Sequence, residues 1–194
     1  MTTIQEPSKS IEKGRKKLVI ILLITIIAAA VIYLTPGILV QNQKTTPQSW
    51  VKIGAYSTYE GQATILSYSI TFSARMEIVD LNETHAKIQT EVNMSSLYSS
   101  NENTTTQWVE RSNMAFQPEG LNLTSTRTQQ ISIPRMGTRT CTVYEYQNQD
   151  ITATYYVDKQ LQWPLKMTMS SQAYDGQTYS MDINLIESNI PGLS

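Results

Sequence analysis

Hydrophobic and polar residues alternate along much of this chain, most regularly between Leu66 and Ile78. In that stretch, LSYSITFSARMEI, every even-numbered position is apolar and every odd-numbered position is polar. Successive side chains of a β-strand leave opposite faces of the sheet, so a period of two predicts a strand with one buried face. We therefore expect the even positions to be buried and the odd positions to be exposed.

The same pattern recurs from Trp50 onward and predicts a mainly β domain without an amphipathic helix. Polar turn segments such as LNET, SSNENTTT, QPEG, QNQD and YDGQ separate the candidate strands. We expect strands at about 51–59, 64–79, 85–93, 107–117, 121–129, 138–147, 151–158, 164–173 and 177–187. Connections this short join antiparallel neighbours. The prediction is one antiparallel β-meander domain, folded as a curved half-barrel or a sandwich.

Matching the apolar faces of neighbouring strands predicts the register of three hairpins, because directly opposed residues share a face. In the last hairpin, a three-residue loop at 174–176 opposes Met169 with Met181 and gives Gly176 a left-handed conformation. The further pairs expected are Met167 with Ile183, Leu165 with Leu185, Met76 with Ile88, Phe72 with Val92, Cys141 with Val157, and Val143 with Tyr155.

A long apolar segment precedes the β region. Residues 18–40 are almost continuously apolar, which satisfies the roughly 20 residues that a membrane-spanning helix needs. Five basic and two acidic residues come before the segment, so the positive-inside rule places the N-terminus in the cytoplasm. A cleaved signal peptide, with Ala28 and Ala30 at the cleavage site, is the alternative. The apolar run continues beyond them to Leu34, which favours an uncleaved anchor.

The expected organisation follows from these segments. A cytoplasmic basic tail (1–17) leads to a transmembrane signal anchor (18–40), a linker (41–49), an external antiparallel β domain (50–190) and a short tail (191–194). We expect a single-pass protein of the cell membrane, with its N-terminus in the cytoplasm and its C-terminal domain extracytoplasmic. The membrane is the first expected partner.

Charge and cysteine content narrow the classes of function. From residue 41 onward the chain has ten basic and fourteen acidic residues, and this excess of negative charge argues against a nucleic-acid partner. Cys141 is the only cysteine, which excludes an intrachain disulfide and a cysteine-based metal cluster. Its alternating surroundings favour a small buried side chain, with an intermolecular bridge or a reactive thiol as alternatives.

Few residues in the sequence point to a modification, catalytic or ligand-binding site. Four Asn-x-Ser/Thr sequons make Asn82, Asn93, Asn103 and Asn122 candidate glycosylation sites, of which Asn82 and Asn103 fall in expected loops. His85, the only histidine, follows a turn, and no nucleophile, base and acid recur around it at a readable spacing. Neither metal-ligand spacing nor a Gly-rich phosphate loop is present. We expect no catalytic, cofactor or metal site, and the protein is predicted not to be an enzyme.

The segment 133–167, IPRMGTRTCTVYEYQNQDITATYYVDKQLQWPLKM, resembles lipoprotein-localisation (LolA/LppX-like) half-barrel proteins. The resemblance rests on Pro134 and Gly137 before a strand, the hairpin around Asn148, the segment YYVD at 155–158 and PLK at 164–166. Proteins of that family carry lipids or lipoprotein acyl chains in the hollow of a curved sheet, which amphipathic helices close. The resemblance implies an apolar ligand wall here, formed by Leu66, Tyr68, Ile70, Phe72, Met76, Met167, Met169 and Met181.

Three functional hypotheses remain at this point. The first is a non-catalytic structural or protein-interaction role in the cell envelope, with an envelope protein as partner. The alternative is a lipid or apolar-ligand carrier of the lipoprotein-localisation type, and an envelope hydrolase is a minor third. An apolar hollow of about 300 Å³ or more would favour the carrier, whereas a filled core would favour the structural role.

Overall fold

The computed structural model describes residues 50–65, 68–96, 99–111, 118, 120–172 and 178–193. The predicted basic tail, transmembrane anchor and linker lie outside these residues, as does Gly176. Within the described ranges, no helix is long and apolar enough to cross a membrane.

The described chain forms a single antiparallel β-sheet. Its strands are β1 (Tyr56–Ile65), β2 (Tyr68–Leu81), β3 (His85–Ser96), β4 (Ser99–Glu110), β5 (Asn122–Ile133), β6 (Gly137–Gln147), β7 (Ile151–Asp158), β8 (Pro164–Gln172) and β9 (Thr178–Ser188). The strand order is β4-β3-β2-β1-β9-β8-β7-β6-β5, so β4 and β5 are edges and the sheet is not closed. The predicted mainly β meander is confirmed, as one sheet rather than two.

The sheet curls onto its own apolar face. Strand β5 lies four positions from β9 in the strand order, which in a flat sheet would separate the two by about 19 Å. Residues of β5 and β9 nevertheless approach within 8 Å between Cα atoms. This curvature allows the sheet to bury the apolar side chains of both of its halves.

Segments outside the strands complete the core at one end of the sheet. Trp50 packs edge-to-face against Trp163, with ring centroids 4.9 Å apart. Ile190 and Leu193, which follow the last strand, are also buried in the apolar cluster. Tyr59 donates a hydrogen bond from its buried hydroxyl to the carbonyl oxygen of Pro164, at 3.0 Å. The buried hydroxyl therefore has the hydrogen-bond partner that a polar group shielded from water needs.

The burial pattern of β2 confirms the expected alternation. The even positions Phe72, Ala74, Met76 and Ile78 are buried, and Ile70 is half-buried. The odd positions are exposed or half-buried. The strand begins at Tyr68, which pairs with Ile65 of β1. The expected strand start at residue 64 is therefore wrong, because Thr64 and Ile65 belong to β1. Leu66 lies outside the described residues.

The last hairpin has the predicted register. Met169 pairs with Met181 and Met167 pairs with Ile183 across β8 and β9. The connection between the two strands lies outside the described residues, so the conformation of Gly176 stays a prediction. The matching of apolar faces was sufficient here because both strands are regular over the paired region.

The predicted register of β2 and β3 is wrong by two residues. Met76 pairs with Thr90 and Ile78 with Ile88, and Phe72 accordingly lies opposite Met94. The turn is tighter than expected, because the backbone N–H of Asn82 donates a hydrogen bond to the carbonyl oxygen of His85. Only residues 83 and 84 lie between the two. A turn of that length alone would oppose residues of different faces. The extra residue Val79 forms a β-bulge that restores the match of apolar faces.

The predicted register of β6 and β7 is wrong by one residue. Cys141 pairs with Asp158, and Val143 pairs with Tyr156. The backbone N–H of Asn148 bonds to the carbonyl oxygen of Ile151, which leaves a two-residue turn instead of three residues. Because a shift of one residue exchanges the faces, Val143 is buried opposite the half-buried Tyr156 rather than opposite Tyr155.

The fourth strand lies earlier in the chain than the sequence predicts. The segment SSNENTTT, interpreted as a turn, forms most of β4, and the described chain leaves the strand after Glu110. Nearly every described side chain of β4 is exposed, and the strand lies at the edge of the sheet. A strand that is polar on both faces has no alternation to detect, and the sequence pattern therefore missed it.

Candidate functional site

The described side chains of the proposed apolar ligand wall lie in the main core or pack against it. Phe72, Met76, Met167 and Met181 are buried, with exposed fractions between 1% and 7%. Ile70 and Met169 are half-buried and pack against the same cluster. Leu66 lies outside the described residues, and so does the side chain of Tyr68. The structure thus brings together six of the eight candidates as members or neighbours of one packed cluster.

Phe72 illustrates how closely this face is filled. It pairs with Gly61 across β1 and β2, and its ring lies over the glycine backbone. A Cβ atom added at Gly61 would lie 2.7 and 2.8 Å from Cε2 and Cε1 of the ring, and nearer still to Cζ. The aromatic ring occupies the volume that a side chain at position 61 would otherwise fill.

The opposite face of the sheet is polar and contains a groove of about 890 Å³. We call it the polar-face groove; it crosses β4, β3, β2, β1 and β9. Pairing places Glu102, Asn93, Ser73, Glu60 and Asn184 in one row across these strands. A second row contains Ser100, Ser95, Thr71, Gln62 and Asp182. These side chains give the groove amide, hydroxyl and carboxylate groups that can form hydrogen bonds.

The charge of the polar-face groove is negative. Its lining includes the carboxylates of Glu60, Glu102 and Asp182 and contains neither lysine nor arginine. Lys166, on the neighbouring strand β8, forms an ion pair with Asp182 at 2.8 Å. Among the residues that the structure describes, Glu60 and Glu102 take part in no ion pair, and two carboxylates therefore remain uncompensated.

Beside the groove, Arg75 is held by two neighbours. Its guanidinium lies 3.0 Å from a carboxylate oxygen of Glu77 and 3.7 Å from the ring centroid of Tyr56. The hydroxyl of Tyr56 donates to Glu187 at 2.6 Å, and this hydrogen bond is the main reason that the pKa of Tyr56 is raised. Arg75 is consequently engaged within the sheet and does not neutralise the groove.

A further ion pair lies on the same face, distant from the groove. Arg127 of β5 pairs with Glu145 of β6. The hydrogen bond from Arg127 is the chief cause of a lowered pKa at Glu145, and the same bond raises the pKa of Arg127. Arg127 is exposed and Glu145 is half-buried, and a surface pair of this kind contributes little to stability.

The four sequons occupy different structural positions. Asn82 lies in the turn between β2 and β3, where its side-chain oxygen accepts bonds from the backbone N–H groups of Thr84 and His85. Asn93 lines the polar-face groove in β3. Asn103 lies within β4 and not in the predicted loop, and Asn122 is the first residue of β5. All four are exposed, and their glycosylation stays a prediction.

Cys141 has the environment of an inert thiol. Its side chain is buried, and burial is the chief cause that raises its pKa to about 11, with the nearby Asp158 acting in the same direction. The reactive form of cysteine is the thiolate, so a raised pKa keeps this side chain unreactive at neutral pH.

His85 is the first residue of β3, directly after the turn at 82–84. Its Nδ1 atom is 2.8 Å from the hydroxyl oxygen of Thr84, its chain neighbour. Within the described ranges, no group of three or more histidine, cysteine, aspartate or glutamate side chains could hold a metal ion.

The polar-face groove is the feature that sequence analysis missed. Its residues are the polar positions of alternating strands, which the pattern describes only as exposed. Their juxtaposition depends on the registers of β1 to β4 and on the pairing of β1 with β9, two strands from opposite ends of the domain. Only the order of the strands could have shown it.

Several solved structures resemble this chain distantly, among them the following two. A domain from Vibrio parahaemolyticus named for outer membrane lipoprotein sorting matches with a TM-score of 0.30 and 10% identity, over 74% of this chain and 87% of that one. A DUF1329 family protein from Desulfovibrio piger matches with a TM-score of 0.25 and 8% identity, over 74% and 88%. No protein-family model matches, and no curated protein does. The expected resemblance is thus found, but TM-scores this low support no inference about function.

Proposed function

We propose that this protein is a membrane-anchored, extracytoplasmic β domain with a non-catalytic role in protein interaction or structure at the cell envelope. The observation that carries the proposal is the packing of the apolar face. Four of the eight candidate ligand-wall side chains are buried in the core, and Phe72 fills the space over Gly61. Side chains used in this way hold the sheet together, which favours a structural apolar face over a lipid-binding one.

Lipid extraction tests this role directly. The full-length protein would be purified in a detergent that mass spectrometry distinguishes from the host lipids. The sample would then be extracted with organic solvent and examined by mass spectrometry. We expect no lipid in stoichiometric amount beyond the level found with an unrelated single-pass protein purified in parallel. A lipid recovered at about one molecule per chain would contradict the proposal and favour the carrier.

The proposed anchoring agrees with the way the chain enters the sheet. Residues 50–55 run into β1 at the end of the sheet that also holds the turns at 82–84, 134–136 and 159–162. The linker of residues 41–49 would reach about 30 Å when fully extended. In this arrangement the end of the sheet that holds the turn at 82–84 lies nearest the membrane, and the polar-face groove lies toward the other end.

Protease accessibility tests the anchored topology. Protease added to intact cells should remove the β domain and leave the basic tail protected, since the proposal places them on opposite sides of the membrane. Cells permeabilised before digestion are the control, because there the tail should also be cleaved. Full protection of the β domain in intact cells would contradict an extracytoplasmic location.

A further inference from the structure

We infer that the polar-face groove is a docking site for a basic, extended segment of another envelope protein. This inference rests on the proposed interaction role and names the surface and the partner chemistry for it. The groove crosses five strands, which spans about 19 Å at the usual strand spacing. An extended peptide of about six residues covers that distance.

Charge complementarity is the first argument for a basic partner. Three carboxylates line the groove, and the lining contains no cation. Lys166 compensates only Asp182, which leaves Glu60 on β1 and Glu102 on β4 free of ion pairs with the residues that the structure describes. These two lie in the same row, three strands apart, or about 14 Å. Cationic side chains four residues apart on an extended peptide match that spacing.

The groove lining also suits a peptide backbone. Between the two glutamates, Asn93 and Ser73 occupy the same row, and Gln62, Thr71 and Ser95 occupy the next. Amide and hydroxyl groups donate and accept hydrogen bonds, as a peptide backbone requires. A divalent cation fits less well, because no described group of three acidic side chains converges closely enough to hold one. The spread of the carboxylates therefore favours a partner that is itself extended.

Fluorescence anisotropy with the full-length protein tests this inference. The probe is a labelled peptide of roughly nine residues in which lysine and serine alternate, long enough to exceed the groove. The same peptide with glutamate in place of lysine is the control probe. We expect saturable binding of the basic peptide and none of the acidic one.

Two double variants with the same change in formal charge locate the binding site. Glu60→Gln with Glu102→Gln removes the two uncompensated carboxylates of the groove. Glu83→Gln with Glu110→Gln removes two exposed carboxylates at the other end of the sheet. We expect the groove variant to raise the Kd about tenfold and the control variant less than about twofold. All four side chains are exposed, so both variants should keep the wild-type thermal unfolding curve.

Each alternative outcome would overturn the inference. No saturable binding of the basic peptide, or equal losses in the two double variants, would show that the groove is not the site. Self-association that only the groove variant abolishes would show that a second copy of this chain is the occupant. The lipid and protease measurements remain independent, because a chain with no docking groove could still be an anchored, lipid-free envelope domain.

Discussion

The ring of Phe72 on β2 lies directly over Gly61, its cross-strand partner on β1. A side chain at position 61 would overlap the ring, since even its Cβ atom would come within 3 Å of three ring carbons. The pair places a large aromatic residue against a bare backbone near the middle of the sheet. The ring of Phe72, the central residue of the alternating stretch 66–78, therefore fills the apolar face at this point.

Gly61→Ala should destabilise the protein. The added methyl group must displace Phe72 within a packed core, and overpacking of this kind costs about 1–3 kcal/mol. The free energy of unfolding, measured by urea denaturation, gives the loss. The matched control is the same change combined with Phe72→Leu, because the smaller side chain leaves room for the methyl group. If the glycine change costs the same in both backgrounds, the contact between the two residues is not the cause.

Asn148→Ala should weaken the hairpin between β6 and β7. The side-chain oxygen of Asn148 accepts bonds from the backbone N–H groups of Asp150 and Ile151, at 2.9 and 2.8 Å. Their loss should lower the free energy of unfolding by about 1 kcal/mol. Asn148→Asp keeps the acceptor oxygen and should retain most of the stability. Equal destabilisation by alanine and aspartate would rule out this bonding as the source.

The stability of the protein should fall as the pH rises from about 9 to about 11. The pKa of Cys141 is about 11 in the folded protein, against an ordinary value of 9.0, because burial disfavours the thiolate. Below pH 9 both states keep the proton. Between the two values only the unfolded state releases it, so up to about 2–3 kcal/mol of stability is lost.

Cys141→Ala separates this effect from other titrations. The variant should show a shallower decline in the free energy of unfolding over the same pH interval. Tyr59 is a second buried group whose raised pKa acts in the same direction, and the variant retains it. Parallel pH profiles for wild type and variant would contradict the assignment to Cys141.

The sequence predicts the architecture well where one face of each strand is apolar. The pairing of Met169 with Met181 followed from matching faces, because β8 and β9 are regular in that region. The same reasoning failed for Met76, since it assumed a longer turn and no bulge at Val79. Neither the tight turn nor the bulge changes the face of any apolar residue in β2. The alternation pattern cannot distinguish these registers.

The sequence predicted less of the candidate site than of the fold. Alternation could identify the residues of the apolar wall, but whether their side chains touch one another depends on the curvature of the sheet. Glu60 and Glu102 are 42 positions apart and lie in one row only because β1, β2, β3 and β4 pair in sequence at fixed registers. A pattern that records only whether a residue is polar does not contain this relationship.

Phe72→Ala is the most direct test of whether the apolar face is a filled core. In a packed core the loss of the ring should lower the free energy of unfolding by about 3–5 kcal/mol. Unfolding of the delipidated protein, wild type against variant, measures this loss, and lipid extraction of both samples accompanies it. We expect a loss in that range with no co-purifying lipid in either sample. A loss below about 1 kcal/mol, together with a lipid that the wild type retains and the variant releases, would contradict it.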